Sequence, residues 1–448
     1  MRHWVPAVLL LLSLPAAAAV NCGAIPVNAT VDDIQGCLNA GGTVRLTAGA
    51  TYVLSRTLIL SVNNTIFRTT VNGQQATLQR LPNVGTPQVL FAVANRTGFR
   101  IYDITFDGNK AGWNLAKRQL ICGNDGLRPG MYNITIHGDS RDFTLSNIVS
   151  ANAPCGTGLE MEGTNFTIEN SAFRNNGTND GPADTRKMWA DGLTAVRCTG
   201  GHIVGNRMTD NTDIDLIVGG GNCTVETNTI QHVSQWSFGG LMLHYFPAGG
   251  GNHTGAVYRN NTILAGGRIL FGIMVGDHPW RSDCTSPSSC SIKVYGGSVT
   301  GNTVRNAFIN LAVDGVRGVQ IANNSLSSPA GNDVADALLP NCRVSIPGSN
   351  GFYAQNYTAA HVASSCIPMG YAQWSYEVGN CQRQSGTVQM NCTVPCTSDA
   401  NCNGDFCCNG VCRECCVSSQ CNDGDPCTMD SCVGGICKND LKPGCQPP

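Results

Sequence analysis

Charge is scarce in this chain. Asp, Glu, Lys and Arg make up 13% of 448 residues and the formal net charge is −2, so the basic patch that a nucleic-acid or membrane-surface binder presents is missing. After the first 19 residues no run approaches 18 uninterrupted apolar residues, which excludes a transmembrane helix from that part of the chain. Gly219-Gly220-Gly221 has no following Lys and opens no helix, so there is no phosphate loop. No Cys/His spacing before residue 396 suggests zinc, and no nucleophile elbow supports Ser/His/Asp hydrolysis. Nothing calls for a required cofactor.

What the chain has in excess is Gly, Asn and Cys. A short motif, apolar-x-x-Asn-x-apolar, appears five times: IVGNRM from Ile203, VETNTI from Val225, YRNNTI from Tyr258, VTGNTV from Val299 and IANNSL from Ile321. Asn206 to Asn228 and Asn302 to Asn324 are each 22 residues apart and the other intervals are longer, as expected when one coil length is fixed and insertions enter at a corner. Short β-rich pieces divided by Gly and Asn suit a parallel β-helix, each coil re-entering the same stack. Asn tolerates left-handed backbone angles and its amide can bond the next coil, so stacked copies predict an asparagine ladder.

Met1 to about Ala19 carries Arg2 and His3, then VPAVLLLLSLP, then four alanines. This reads as a secretory signal peptide at 1–19, ahead of a β-helix domain at 20–395. Twenty-four cysteines and twelve Asn-x-Ser/Thr sequons, among them Asn95, Asn133, Asn165, Asn252 and Asn356, fit an exported, glycosylated protein. Thr30, with Asp32 and Asp33 in the first turn, an apolar face of Val31, Ile34 and Leu38, and a stop at Gly41-Gly42, predicts a short helix that caps the first coil.

That capping helix, the GGTVRLTAGATY segment after it and the Asn-marked coils resemble the pectate-lyase-like superfamily of right-handed parallel β-helix proteins over roughly residues 25 to 345. The resemblance implies an all-β right-handed solenoid and a carbohydrate ligand, while the superfamily spans lyases, hydrolases and binders. Polygalacturonase-type members carry an Asp-Gly, a paired aspartate and a Gly-His-Gly on consecutive coils. Ala190-Asp191-Gly192 matches the first and Asp213-Ile214-Asp215 approximately the second. Gln235 and WSFGG stand where the third would be.

Geometry gives the same residues a role. Adjacent parallel strands lie about 4.8 Å apart, which brings Asp191 near Asp213 if they are in register. Asp213 and Asp215, as alternate residues of one strand, are expected on one face about 6.6 Å apart. Carboxyl pairs at such separations serve either stereochemical course of glycoside hydrolysis, and crowding supplies the neutral acid needed to protonate a leaving group. The same acids are candidates for Ca²⁺ ligands in a lyase reaction, with Lys187 or Arg186 as the base. Trp189, Trp236, His244, Tyr245 and His278 are candidate sugar contacts. Cys198 and Cys223 are placed to bridge coils, and Cys284 and Cys290 to close a loop. Residues 396–448 hold twelve Cys and almost no apolar core, so a disulfide-rich module is expected there. The sequence supports a secreted protein whose partner is an extracellular polysaccharide, cleaved by hydrolysis or elimination. The alternative is a non-catalytic glycan-binding or structural wall protein.

Overall fold

The computed structural model describes residues 21–82, 89–122, 131–180, 188–276 and 294–307, with shorter runs between 309 and 442. Residues 1–19, Arg186, Lys187, His278, Asn356 and the Cys284/Cys290 loop lie outside the described residues.

Each coil of the chain contributes one strand to each of three ten-stranded, all-parallel sheets. The reason is visible in the repeat. The first apolar residues of the motif, Ile203, Val225, Tyr258, Val299 and Ile321, pair in register as one interior column of the first sheet. The last apolar residues, Met208, Ile230, Ile263, Val304 and Leu326, do the same in the second sheet. Leu159, Leu193, Leu216, Leu241, Ile273 and Leu311 line the third. All are buried, so the interior of this right-handed parallel β-helix is a stack of like on like, with strands buried on their inner face by the other two sheets.

The corner between the first two sheets holds the predicted ladder. Each of Asn206, Asn228, Asn261 and Asn302 donates both its backbone N–H and its side-chain amide to the side-chain oxygen of the next asparagine, at 2.9–3.0 Å. The amides of Asn228, Asn261, Asn302 and Asn324 also donate to Ile203, Val225, Tyr258 and Val299 carbonyls. The left-handed backbone angle expected of these asparagines belongs instead to the residue before, namely Gly205, Thr227, Asn260 and Gly301, with φ between 55° and 65°. Two neighbours divide the work that the sequence assigned to one. One bends the chain and the other bonds the next coil.

The first coil is closed as expected. Helix Val31–Ala40 starts on a capping box in which the Asp33 N–H donates to the Thr30 hydroxyl and the Thr30 N–H donates to the Asp33 carboxylate. It buries Ile34, Cys37 and Leu38 over the first coil, and Cys37 is disulfide-bonded to Cys22. Cys198–Cys223 bridges adjacent coils and Cys122–Cys155 ties a loop to the barrel. A four-stranded antiparallel sheet is built from Asp333–Ala335 and Arg343–Ser345, inserted before the last coil's strand Phe352–Gln355, together with Tyr371–Val378 and Gln382–Gln389, and the cysteine-rich end forms two hairpins held in part by Cys408–Cys416 and Cys415–Cys432. Cys415, Cys421 and Cys432 cluster, but all three are disulfide-bonded and so are no metal ligands. Among the described residues no helix is long and apolar enough to cross a membrane.

One glycosylation expectation is corrected. Asn133 is fully buried and its amide donates to the Ala151 and Phe106 carbonyls and to the Ser150 hydroxyl, whereas Asn95, Asn165 and Asn252 are exposed. In protein made by a eukaryotic secretory host, peptide mass mapping should therefore find glycan on some or all of Asn95, Asn165 and Asn252 and none on Asn133. Asn228→Ala should destabilise the fold by on the order of 2–4 kcal/mol, because it strands the buried Asn206 N–H and the polar groups on either side. Denaturant unfolding of the two proteins measures it.

Candidate functional site

The candidate acids lie on the third sheet, where strands Ile134–His137, Gly156–Thr164, Ala190–Thr199 and Ile214–Val218 belong to successive coils. Thr157 sits opposite Asp191, and Glu160 opposite Thr194. Leu193 and Ala195 both face the core, yet Asp191 reaches Thr194, whose hydroxyl donates to Asp191 Oδ2 at 2.6 Å. The strand is therefore kinked at Gly192-Leu193. Gly192 permits this approach, since a Cβ there would stand 2.4 Å from the Asp215 carbonyl oxygen.

Asp191 and Asp213 are brought together. Asp191 Oδ1 accepts the N–H of Ile214, the residue after Asp213, at 3.1 Å. The Asp213 backbone is fixed from both sides, its N–H donating to the Ala190 carbonyl and its own carbonyl accepting from Phe238, Gly239 and the Ser237 hydroxyl. Burial first, and then the neighbouring Asp191, push the Asp213 carboxyl well above its usual range. Among the described residues no group donates to that carboxyl. Asp191 is also raised, to about 6, by burial and by the charges of Glu160 and Asp215, against the lowering effect of its bonds from Thr194 and Ile214. The two carboxyls thus differ in a definite sense. Both carboxyls stand above the usual range, and Asp191 is the one with donors ready to stabilise a negative charge.

A third carboxyl was not singled out in the sequence. Glu160 projects beside Asp191 from the preceding coil, is raised by burial against the opposing effects of His137 and a hydrogen bond from Tyr132, and has its carboxylate 3.5 Å from His137 Nε2. Farther along the same strands Arg197 lies 3.5 Å from Glu162 and donates to the Gly138 carbonyl. The signal for Glu160 was present: Thr157-Gly158-Leu159-Glu160 has the same Gly-Leu step as Asp191-Gly192-Leu193-Thr194, 34 residues apart rather than 22 because a loop intervenes.

Asp215 does not share the face of Asp213. It is fully buried, accepts from the Asn211 amide at 2.8 Å and pairs with His232 Nε2 at 2.7 Å. The alternate-residue argument fails because the chain is irregular at this point, with Asp213 preceding the strand and Leu216 already turned into the core. Burial lowers the pKa of His232, but Asp215, the Gln235 carbonyl and Asp210 together raise it above its usual value. Of the expected sugar contacts, Trp189 is only 8% exposed and presents little face. Trp236, His244 and Tyr245 are half-buried, Trp236 packing beside Ile214 and Phe238 and His244 edge-on to Phe246.

No family model and no curated protein matches the chain. Among solved structures it is similar to an alginate lyase from Paenibacillus sp. str. FPU-7, with 14% identity over 73% of this chain and 97% of that one and a TM-score of 0.44. It is also similar to a tailspike protein of E. coli bacteriophage HK620 in complex with a pentasaccharide, at 14% identity over 67% of this chain and 54% of that one, TM-score 0.49. An endo-xylogalacturonan hydrolase from Aspergillus tubingensis shares 14% identity over 76% of this chain and 97% of its own, TM-score 0.43. These likenesses are of fold. The three stacked, all-parallel sheets are those of a parallel β-helix.

A carboxyl whose folded pKa is raised from 3.8 to about 6 favours folding at pH below about 4 and loses that contribution as pH rises through 6. Asp191→Asn removes the dependence. Thermal melts across pH should show the variant matching the unsubstituted protein at low pH and exceeding it above pH 6, by on the order of 1–3 kcal/mol. Parallel curves would contradict the raised pKa of Asp191.

Proposed function

We propose that this chain is an exported enzyme that hydrolyses glycosidic bonds in a polysaccharide, using Asp213 as the proton donor and Asp191 as the carboxylate that assists attack at the sugar. The observation that carries this reading is the crowding of three carboxyl groups from adjacent coils, all raised above the usual range, of which Asp191 has hydrogen-bond donors and Asp213 has none among the described residues. Leaving-group protonation needs an acid still neutral near the working pH, and stabilisation of an oxocarbenium-like centre needs a nearby carboxylate. Asp213 and Asp191 meet these two requirements separately. Glu160, with Tyr132 and His137 on it, completes the acidic floor and is placed to orient a water or a sugar hydroxyl. Trp236, packed beside Ile214, supplies a half-buried ring next to Asp213, while His244 and Tyr245 lie past the other end of that strand.

Hydrolysis by this constellation uses no metal. Elimination would instead set Ca²⁺ among Glu160, Asp191 and Asp213, oxygen donors of the type that cation takes, to neutralise a uronate carboxylate. Export is supported by the described disulfides, which fit an oxidising compartment, and by the apolar N-terminal segment of the sequence.

The test incubates the purified protein with plant, algal and microbial polysaccharides, with and without Ca²⁺, following new reducing ends and the ultraviolet absorbance of unsaturated uronates. Reducing ends without that absorbance are expected. Asp213→Asn should lower the rate by roughly 10²–10⁴-fold with glycan binding retained. Absorbance together with reducing ends would replace hydrolysis by elimination. If no glycan is cleaved while one is bound, and Asp213→Asn leaves that binding unchanged, the protein is a glycan binder and not an enzyme.

A further inference from the structure

The third sheet has two long edges, and the Asn-x-Ser/Thr sequons fall on them unequally. Asn63, Asn95, Asn165, Asn222 and Asn252 each follow a third-sheet strand and precede a first-sheet strand, so they stand on the corner between these two sheets, and all five are exposed. They belong to the first, second, fourth, sixth and seventh coils, a file roughly 29 Å long at about 4.8 Å per coil. It passes the acid-bearing strands where they leave the groove. Asn165 directly follows Gly156–Thr164, and its N–H donates to the carbonyl of Thr199, the last residue of Ala190–Thr199. On the other edge the described sequon residues are Asn133 and Asn176, ahead of Ile134–His137 and Ala190–Thr199, and both are fully buried.

The amides of the two groups are turned in opposite senses. Asn63, Asn95 and Asn252 accept the N–H groups of Thr97, Asp139 and Thr254 at their side-chain oxygens, at 2.9–3.0 Å. The oxygens of Asn165 and Asn222 lie against Gly200 and Gly255 of the next coil, where a Cβ would stand 2.8 and 2.1 Å from them. The Asn165 nitrogen donates to Asp142 at 3.4 Å, and the nitrogens of the other four donate to no protein group among the described residues. At Asn133 and Asn176 it is the nitrogen that is committed, to the Ala151 carbonyl and to the Asn211 side-chain oxygen, each at 2.8 Å. N-glycosylation is a reaction of that nitrogen. It bonds to the anomeric carbon of an oligosaccharide carried on a polyprenyl diphosphate, the diphosphate leaves with the bonding pair, and the amide gives up one of its two protons. Along the file the product keeps every contact of the oxygen, and Asn165 keeps a proton for Asp142. At Asn133 and Asn176 a glycan would have to enter the core.

We propose that Asn63, Asn95, Asn165, Asn222 and Asn252 carry N-linked oligosaccharides that wall the groove along the corner between the third and first sheets, so that a polymeric ligand is admitted across the opposite corner. The modification rests on the reading of the chain as exported, and the direction of approach on the reading of the groove as a polysaccharide site. Sites one or two coils apart place their glycans roughly 5 to 10 Å from one another, and bulky, hydrated groups at that spacing overlap. The opposite corner carries the arm that includes helix Leu115–Cys122 and no exposed sequon among the described residues. Asn28 and Asn260, also exposed, stand ahead of the capping helix and on the corner between the first and second sheets, away from the groove.

Neither readout of the test needs a substrate, so failure of the hydrolytic reading leaves both interpretable. A eukaryotic host expresses the full chain and, in parallel, residues 20–448 behind the host's own secretion signal, which tells a failed leader from failed sites. Glycopeptide mapping of the secreted protein should find glycan on most of the five file residues and none on Asn133 or Asn176. The second readout uses Glu162→Cys, on a strand that runs into the file, and Ala116→Cys, exposed on the opposite corner; the described native cysteines are all paired. Each variant is labelled with a small maleimide and with a bulky polyethylene-glycol maleimide, before and after enzymatic deglycosylation of the folded protein. Deglycosylation should speed the bulky reagent several-fold at Glu162→Cys, leave the small reagent unchanged there, and leave both unchanged at Ala116→Cys. The proposal is overturned if fewer than half of the five sites are occupied, if Asn133 or Asn176 is occupied in the folded protein, or if deglycosylation leaves the bulky reagent equally slow at Glu162→Cys.

Discussion

The spacing of parallel strands, about 4.8 Å from one coil to the next, governs everything else in this molecule. Whatever occupies a position in one coil must tolerate its counterpart in the next at that distance. Apolar residues do so by packing, which is why Ile203, Val225, Tyr258, Val299 and Ile321 form a column. Asparagine does so because its side chain both gives and accepts, and a ladder from Asn206 to Asn324 leaves the inner rungs satisfied from above and below. Carboxylates alone are poorly served. Stacking them raises their proton affinity, so a run of acids on neighbouring coils is destabilising unless a partner or a proton neutralises it.

The acids between residues 191 and 215 answer that constraint in four ways. Asp210 is surrounded by N–H groups of the following coil, which hold it below the usual carboxylate range although burial acts in the other direction. Asp215 has His232 and Asn211. Asp191 has three donors, and Asp213 has none among the described residues. Only the last two remain on the outer face with raised pKa values, and they are the pair that proton transfer can use. The chemistry thus follows from which carboxylates the fold leaves partly unneutralised, more than from how many it brings together.

Local signals were legible in the sequence where the cause is local or repeats at a fixed interval. Thr30 and Asp33 make a capping box within one helical turn, and the Asn motif marks one corner wherever it occurs, so helix, coil and ladder could be read directly. The Cys198–Cys223 bridge followed from a separation close to one coil. What escaped depends on register after an insertion or on a backbone irregularity. Glu160 lies one coil from Asp191 but 31 residues away in sequence, and a kink at Gly192-Leu193 and its counterpart before Leu216 overturned the period-two reasoning that put Asp213 and Asp215 on one face. The buried state of Asn133 escaped for the same reason, since a sequon carries no information about which side of the coil it faces.

The placement of Asp215 suggests why an acid is kept where its neighbours in the stack have glycine. It stands one residue before Leu216, as Gly192 stands before Leu193 and Gly240 before Leu241. Its two oxygens link Asn211, at the start of its own coil's corner, to His232 in the next coil, and His232 in turn contacts the Gln235 carbonyl. A fully buried ion pair of this kind contributes little net stability compared with a well-packed apolar substitute, and its attested use is to select one arrangement among several. Here the arrangement selected is the turn from Asn211 to Ser237, which carries Asp213 on one side and Gln235 on the other. The acid that sequence spacing placed on one face with Asp213 therefore acts beneath it, fixing the turn that carries Asp213.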